Sequence, residues 1–331
     1  MNIAFFETEP WEKDLFEQAL GDHDLSFSSE PLDRTQLAHY KDAEIVSPFI
    51  YSRLYADVLS QLPKLTLIAT RSTGVDHIDR EFCTVHNIAI RNVPAYGVNT
   101  IAEHTFALIL TLSRKIVPSV ERTRRGNFTL EGLRGFELAG KTLGIIGLGS
   151  IGMRVAELAI AFDMKVIVNT RTPKKELENT LGITYSDLPT LLGSANIVSI
   201  HVPLVPETRH LINKDNIKLV KPGSFLVNTA RGAIVETEAI LWALERGILA
   251  GVGLDVLEEE CALKEERELI TKEFLKTCDL KTQLINHVLL TKDNVIITPH
   301  NAFNSREALE EIVRTTIRNI TSYVSGEPEL N

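Results

Sequence analysis

Apolar residues along the first hundred positions cluster in short runs, Ile3–Phe6, Leu25–Ser28, Ile45–Phe49, Leu65–Thr70 and Ile88–Val93, that read as strands. Trp11–Leu20 and Ser52–Leu59 read as helices between them. Alternation of this kind predicts a parallel, doubly wound sheet. A long apolar helix is then expected from Thr100 to about Arg114, opened by capping-box spacing, with Thr100 as the cap and Glu103 three positions on. Phe106, Ala107, Leu108, Ile109, Leu110 and Leu112 run nearly all round it, which predicts burial between domains. From Lys141 a second alternating series begins. Strands are expected at Leu143–Ile146, Lys165–Asn169, Ile197–His201, Ser224–Asn228, Gly251–Leu254 and Val295–Thr298, followed by a closing helix, Arg306–Tyr323, that packs back on the first domain. The chain therefore reads as α/β with two doubly wound domains, the first of them discontinuous. Glu258–Asp293, charge-rich and then helical in pattern, reads as an insertion.

The most informative stretch is the apolar strand that turns on glycines into a helix, Thr142-Leu143-Gly144-Ile145-Ile146-Gly147-Leu148-Gly149-Ser150-Ile151-Gly152. In a G-x-G-x-x-G turn of this kind Gly147 permits the tight turn and Gly149 lets a pyrophosphate approach the backbone. Gly152 lets helix and strand pack closely. The pyrophosphate is then expected on the N–H groups and positive dipole end of the following helix. Six strands alternating with helices suit a full dinucleotide-binding fold.

Composition narrows the partners. At 331 residues the chain is long for one core, and two domains are the natural expectation. Charged residues at 24% and hydrophobic residues at 44% describe an ordinary soluble globular protein. The net charge of −9 argues against nucleic acid or an anionic membrane as partner, though a local arginine can still receive an anionic substrate. Cys83, Cys261 and Cys278 show no metal-ligand spacing and read as reduced thiols. The N-terminus is a short strand followed by acids rather than a signal peptide, and no apolar run approaches the ~20 residues that span a bilayer. A cytoplasmic location is the expectation.

Three polar residues stand at or just beyond strand ends in the second series, where α/β sheets present ligands. Arg231 follows Phe225-Leu226-Val227-Asn228-Thr229-Ala230, Asp255 and Glu260 follow Gly251-Val252-Gly253-Leu254, and His300 follows Val295-Ile296-Ile297-Thr298-Pro299. With these in place the chain resembles the D-isomer-specific 2-hydroxyacid dehydrogenases, most of all their D-lactate dehydrogenase branch. The resemblance rests on Asn228-Thr229-Ala230-Arg231-Gly232, Gly253-Leu254-Asp255-Val256 with Glu260 five beyond the Asp, and Thr298-Pro299-His300-Asn301-Ala302-Phe303. Arg71-Ser72-Thr73-Gly74-Val75-Asp76, Val93-Pro94-Ala95-Tyr96-Gly97 and His201-Val202-Pro203-Leu204 add to it.

The resemblance implies a Rossmann dinucleotide-binding domain at 100–299 inserted into a flavodoxin-like substrate domain formed by 1–99 and 300–331. It implies a hydride exchange between a nicotinamide cofactor and a short 2-keto or D-2-hydroxy acid, with pyruvate and D-lactate foremost. Arg231 offers a planar fork for the substrate carboxylate. His300 is the acid/base, because its ordinary pKa lets it both hold and release a proton near neutrality. Glu260 is expected to bond the far imidazole nitrogen and fix its tautomer. Ser72, Thr73, Gly74, Tyr96 and Phe303 are expected around the substrate. Thr73 and Gly74 would act there through backbone N–H groups.

On the cofactor side the expected contacts are Thr100, Gly147, Gly149, Ser150, Ile151, Gly152, Thr170, Arg171, His201, Val202, Pro203, Thr208, Thr229, Ala230 and Asp255. At the end of the second strand, where an acid would bind the adenosine ribose of NAD, stands Thr170, followed by Arg171 with Lys174 and Lys175 close by. The departure favours NADP over NAD. No metal site is expected. The segment Arg122–Leu138 resembles the family's dimer arm and implies a homodimer. Two alternatives stay open: a glyoxylate or hydroxypyruvate reductase, and a nucleotide-sensing corepressor or scaffold of the same fold.

Overall fold

The structure, a computed structural model, describes residues 1–259 and 279–327. The chain divides into two compact units, Met1–Tyr96 with Asn304–Asn331, and Gly97–Phe303.

The first unit is a sheet of five parallel strands, β1 (Asn2–Phe5), β2 (Asp24–Phe27), β3 (Ile45–Ser47), β4 (Leu67–Ala69) and β5 (Ala89–Arg91), in the order β2-β1-β3-β4-β5. That is the flavodoxin-like order. Strands β3 and β4 are buried at every position, as befits a parallel sheet covered on both faces. Phe5 stacks on Phe16 of the helix Pro10–Leu20 at 4.3 Å between ring centroids. Val313 and Ile320 of the closing helix, Arg306–Val324, join the same core. Ser305 caps that helix by accepting the Ala308 N–H at 3.2 Å.

The expected helix Ser52–Leu59 is shorter, Ala56–Leu59. Ahead of it the Glu7 carboxylate accepts the N–H groups of Phe49, Ile50, Tyr51 and Ser52 and the Ser52 hydroxyl.

Arg71, just beyond β4, is 1% exposed. It donates to Glu12 Oε1 at 2.6 Å and to the carbonyls of Phe6 and Glu7. The second oxygen of Glu12 accepts the Glu9 N–H at 2.7 Å.

Among the described residues the second unit holds seven parallel strands: β6 (Thr142–Ile146), β7 (Lys165–Asn169), β8 (Thr184–Tyr185), β9 (Ile197–Ile200), β10 (Ser224–Asn228), β11 (Leu249–Leu254) and β12 (Val295–Ile297). Their order is β12-β11-β10-β9-β6-β7-β8, so the winding reverses between β6 and β9. The sequence pattern showed six of these. The seventh, β8, is two residues long and pairs only with β7, too short for any periodicity to reveal.

The long helix runs Val98–Ser113 and starts after Gly97, so Thr100 sits in its first turn and is not the cap. Its buried face packs against the helix Ser150–Ala161 and strands β10 and β11, inside its own unit. Among the described residues no helix is long and apolar enough to cross a membrane, and no cluster of His, Cys, Asp and Glu could hold a metal ion.

The Arg71–Glu12 pair yields a stability prediction. Removing one charge of a buried pair leaves the other uncompensated. Glu12→Gln should lower unfolding stability by about 3 kcal/mol, read as a shifted urea midpoint. An unchanged midpoint would show the pair to be dispensable.

Candidate active site

The glycine turn behaves as its spacing demands. Gly147 has φ +96, and a Cβ there would lie 2.5 Å from the His201 carbonyl. A Cβ on Gly152 would lie 2.1 Å from the Gly147 carbonyl, so strand and helix touch backbone to backbone. A Cβ on Gly149 would meet nothing within 4 Å. The helix Ser150–Ala161 begins there with no side-chain cap, and its first-turn amides at Ser150 and Ile151 are the kind of group an anion satisfies. The turn is thus closed where helix meets strand and open where a ligand approaches, which fits a pyrophosphate.

At the end of β7 the Asn169 carbonyl accepts the Gly147 N–H at 2.8 Å. Thr170 beyond it is half-buried, and Arg171, Lys174 and Lys175 are exposed. After β9, His201 donates its N–H to Ile146 at 2.7 Å, and its Nε2 lies 2.8 Å from the Ser199 hydroxyl. The Val202 side chain borders Gly147. Thr208 donates its hydroxyl to the Pro203 carbonyl at 2.6 Å and accepts the Val205 N–H at 2.9 Å. Thr208 therefore closes the 203–208 turn. Although His201 is half-buried as a residue, desolvation of its ring lowers its pKa to about 3 and keeps the imidazole neutral.

After β10, Asn228 accepts the Ala230 N–H at 3.0 Å and donates to the Arg231 carbonyl at 2.9 Å. Arg231 itself is extended, and its Nη1 donates to Ala230 O at 2.8 Å. The Thr229 hydroxyl is turned inward, 3.0 Å from that of Thr105. A Cβ on Gly232 would lie 2.0 Å from the Leu257 carbonyl carbon, so the Arg231 loop and the chain beyond β11 are in backbone contact.

Asp255, at the end of β11, is 1% exposed. Its Oδ1 accepts the Thr298 hydroxyl at 2.5 Å and the Asn301 N–H at 2.9 Å, and its Oδ2 accepts the Ala302 N–H at 2.9 Å. Its own carbonyl accepts the His300 N–H at 2.9 Å. His300 is held at φ +51, a left-handed conformation that a histidine adopts only under constraint. The Phe303 ring lies edge-on to it at 6.5 Å. The Asp255 carboxylate, expected near the cofactor, is buried and organises the turn that carries His300.

Glu260 lies outside the described residues, as do Cys261 and Cys278. Its neighbour Glu258 is buried, taking His210 Nε2 at 2.6 Å and the Thr237 hydroxyl at 3.0 Å, a role that nothing in the acidic run had signalled. Cys83 is buried, and burial with Asp79 nearby pushes its thiol up to about 11, which makes it unreactive.

In the first unit Ser72 is buried, donating to the Gly74 carbonyl at 2.7 Å and lying 2.8 Å from the Thr70 hydroxyl. Its side chain shapes the loop. Thr73, exposed, donates its hydroxyl to Val93 O at 2.9 Å, and Gly74 beside it is half-buried. Tyr96, half-buried, ends the segment after β5.

A doubly wound parallel sheet with an uncapped helix behind its first glycine turn defines a dinucleotide-binding protein. The sequence profile of the D-isomer specific 2-hydroxyacid dehydrogenase NAD binding domain matches residues 106–302. The D-lactate dehydrogenase of Escherichia coli K12 is 32% identical over 331 residues, covering 99% of this chain and 98% of the relative. The glyoxylate reductase of Aeropyrum pernix is 35% identical, covering 97% of this chain and 88% of the relative. Among solved structures, D-lactate dehydrogenase from Aquifex aeolicus in complex with NAD and lactic acid superimposes with a TM-score of 0.88 at 37% identity, covering 98% of this chain and 96% of that one. The chain belongs to the D-isomer specific 2-hydroxyacid dehydrogenases, NAD-dependent oxidoreductases acting on a CH–OH group.

His201 gives a pH prediction. Its pKa is depressed in the folded state, so the unfolded chain binds the extra proton between the ordinary value near 6.5 and about 3. The stability from its neutral form is complete above 6.5 and declines as pH falls, by up to about 1.4 kcal/mol per pH unit in that window. Denaturant midpoints at pH 7, 6, 5 and 4 check this, and His201→Asn should flatten the slope.

Proposed function

We propose that the chain reduces a short 2-keto acid, pyruvate foremost, to its D-2-hydroxy acid and catalyses the reverse oxidation. The observation that supports this is that Arg231, Asp255 and His300 follow the ends of β10, β11 and β12, three successive strands of one sheet, with His300 in a constrained turn. In this reading Arg231 clamps the substrate carboxylate and polarises the adjacent carbonyl. His300 holds the proton delivered to the ketone oxygen, and in oxidation takes it back. Glu260 fixes the imidazole tautomer. The family resemblance assigns substrate contact to Thr73, Gly74, Tyr96 and Phe303. The bound dinucleotide supplies the hydride.

The named activities of the Escherichia coli relative and the Aquifex aeolicus structure support pyruvate and D-lactate. The Aeropyrum pernix relative supports a second reading, a glyoxylate or hydroxypyruvate reductase. Thr170 with Arg171, Lys174 and Lys175 supports acceptance of NADP, since no carboxylate repels a 2′-phosphate there and cations stand ready for one. Three scattered cysteines, an arrangement suited to reduced thiols, support a cytoplasmic location. Phe128 and Leu130, 76% and 83% exposed, support a homodimer formed through the segment Arg122–Leu138. Ile116, Val117 and Val120 add an apolar face on the preceding helix, Ile116–Arg124.

A steady-state panel of pyruvate, glyoxylate, hydroxypyruvate and phenylpyruvate with NADH and NADPH should show turnover best with pyruvate and measurable use of NADPH. In it His300→Gln should lower kcat by about a thousandfold, and Arg231→Gln should chiefly raise the KM for the keto acid. A mild effect of His300→Gln removes it from the acid/base role. Sedimentation at micromolar protein should give twice the mass of the 36.9 kDa chain, and a single-chain mass rejects the dimer.

A further inference from the structure

One histidine outside the expected site is bonded to the turn that carries His300. His104, on the helix Val98–Ser113, places its Nε2 3.1 Å from the Thr298 hydroxyl and 3.5 Å from Asp255 Oδ1. Thr298 donates its single hydroxyl proton to Asp255 at 2.5 Å, so towards His104 its oxygen can act only as acceptor. The histidine Nε2 must therefore carry the hydrogen. The order of donation is His104 Nε2–H to Thr298 Oγ1, Thr298 Oγ1–H to Asp255, with the Asp255 oxygens also receiving the Asn301 and Ala302 N–H groups at 2.9 Å. Each member fixes the next, and the last holds both sides of the left-handed residue His300. A conformation of that kind persists only where its surroundings over-determine it.

We propose that His104 is a positioning residue of the dehydrogenase reaction, holding the His300 turn through Thr298 and Asp255. The proposal rests on the assignment of His300 as the acid/base. Without the His104 donor the Thr298 hydroxyl loses one of its two orientation constraints, and the carboxylate that orders the turn loses a neighbouring N–H dipole. The consequence falls on the placement of the His300 ring, hence on turnover, and not on how the glycine turn receives a dinucleotide.

The test uses the full chain with NADH and the best 2-keto acid of the panel. His104→Leu should lower kcat about tenfold, the scale of one buried hydrogen bond, with the KM for NADH within about twofold of the parent. His104→Gln, whose amide N–H can reach the same hydroxyl, should regain most of the loss. Thr298→Val, nearly isosteric, should reproduce it and carries the test should H104L fail to fold. In a His300→Gln background the His104→Leu change should have no further effect on residual turnover, because there is no ring left to position. An unchanged kcat in both H104L and T298V overturns the proposal. So does an equal loss with and without His300, or H104Q performing no better than H104L. Failure of the underlying assignment is separate: His300→Gln alone would then be mild.

Discussion

A carboxylate buried at the end of β11 holds together the part of this chain to which the chemistry is assigned. Asp255 takes two peptide N–H groups and one hydroxyl from the loop after β12, and its own carbonyl takes the His300 N–H. A buried carboxylate is tolerated only when such donors surround it. The dependence therefore runs both ways: the loop satisfies the acid, and the acid gives the loop its shape. A histidine at φ +51 has no local reason to stay there. Its conformation comes from strand pairing of β11 with β12, which sets Asp255 beside residues 298–302.

The neighbouring loops are joined in the same way. Gly232 lets the Arg231 loop touch the backbone at Leu257 and Glu258, an approach that any Cβ would forbid. The Glu258 carboxylate then receives the N–H and hydroxyl of Thr237, the first residue of the helix Thr237–Glu245, and His210 from the chain before β10. Asn286 donates to the Glu258 carbonyl at 2.9 Å and Gln283 to that of Glu259 at 2.7 Å, tying in the helix Leu280–Leu290. The strand-end loops of the second unit thus brace one another. Bracing of that kind is what catalytic geometry needs, since misplacement by about 1 Å can cost a hundredfold in rate.

What the sequence revealed follows from which interactions are local. Apolar runs and glycine spacing are local, so the strands and the turn at Gly147, Gly149 and Gly152 were legible. Thr100 had the right spacing for a cap, yet the helix begins two residues earlier because its start is set by Gly97. Ser72 stands in a recognisable motif, which does not reveal that its hydroxyl bonds Gly74 and Thr70. The bonds made by Asp255, Glu258 and His104 were illegible for a different reason. Their partners lie 43 or more residues away for Asp255 and Thr298, 48 for Glu258 and His210, and 194 for His104 and Thr298. No window of sequence joins such residues. Only the sheet order brings them together.

The overall charge sharpens the same point. A chain of net charge −9 that receives an anionic cofactor, and in the proposed reading an anionic acid, cannot rely on its general field. It must create attraction locally, and it has two distinct means. Peptide dipoles at the start of the helix Ser150–Ala161 suit a pyrophosphate, which spreads its charge over several oxygens and needs several donors. A single guanidinium at Arg231 suits a planar carboxylate, which two parallel N–H groups can hold in one orientation. The first means requires glycine, so that backbone can be approached. The second requires a side chain whose loop cannot drift, and Asn228, bonded to Ala230 N and Arg231 O, provides that. Charge sign is a property of the whole chain, whereas recognition here depends on which few backbone groups are left uncovered and which one cation is held still.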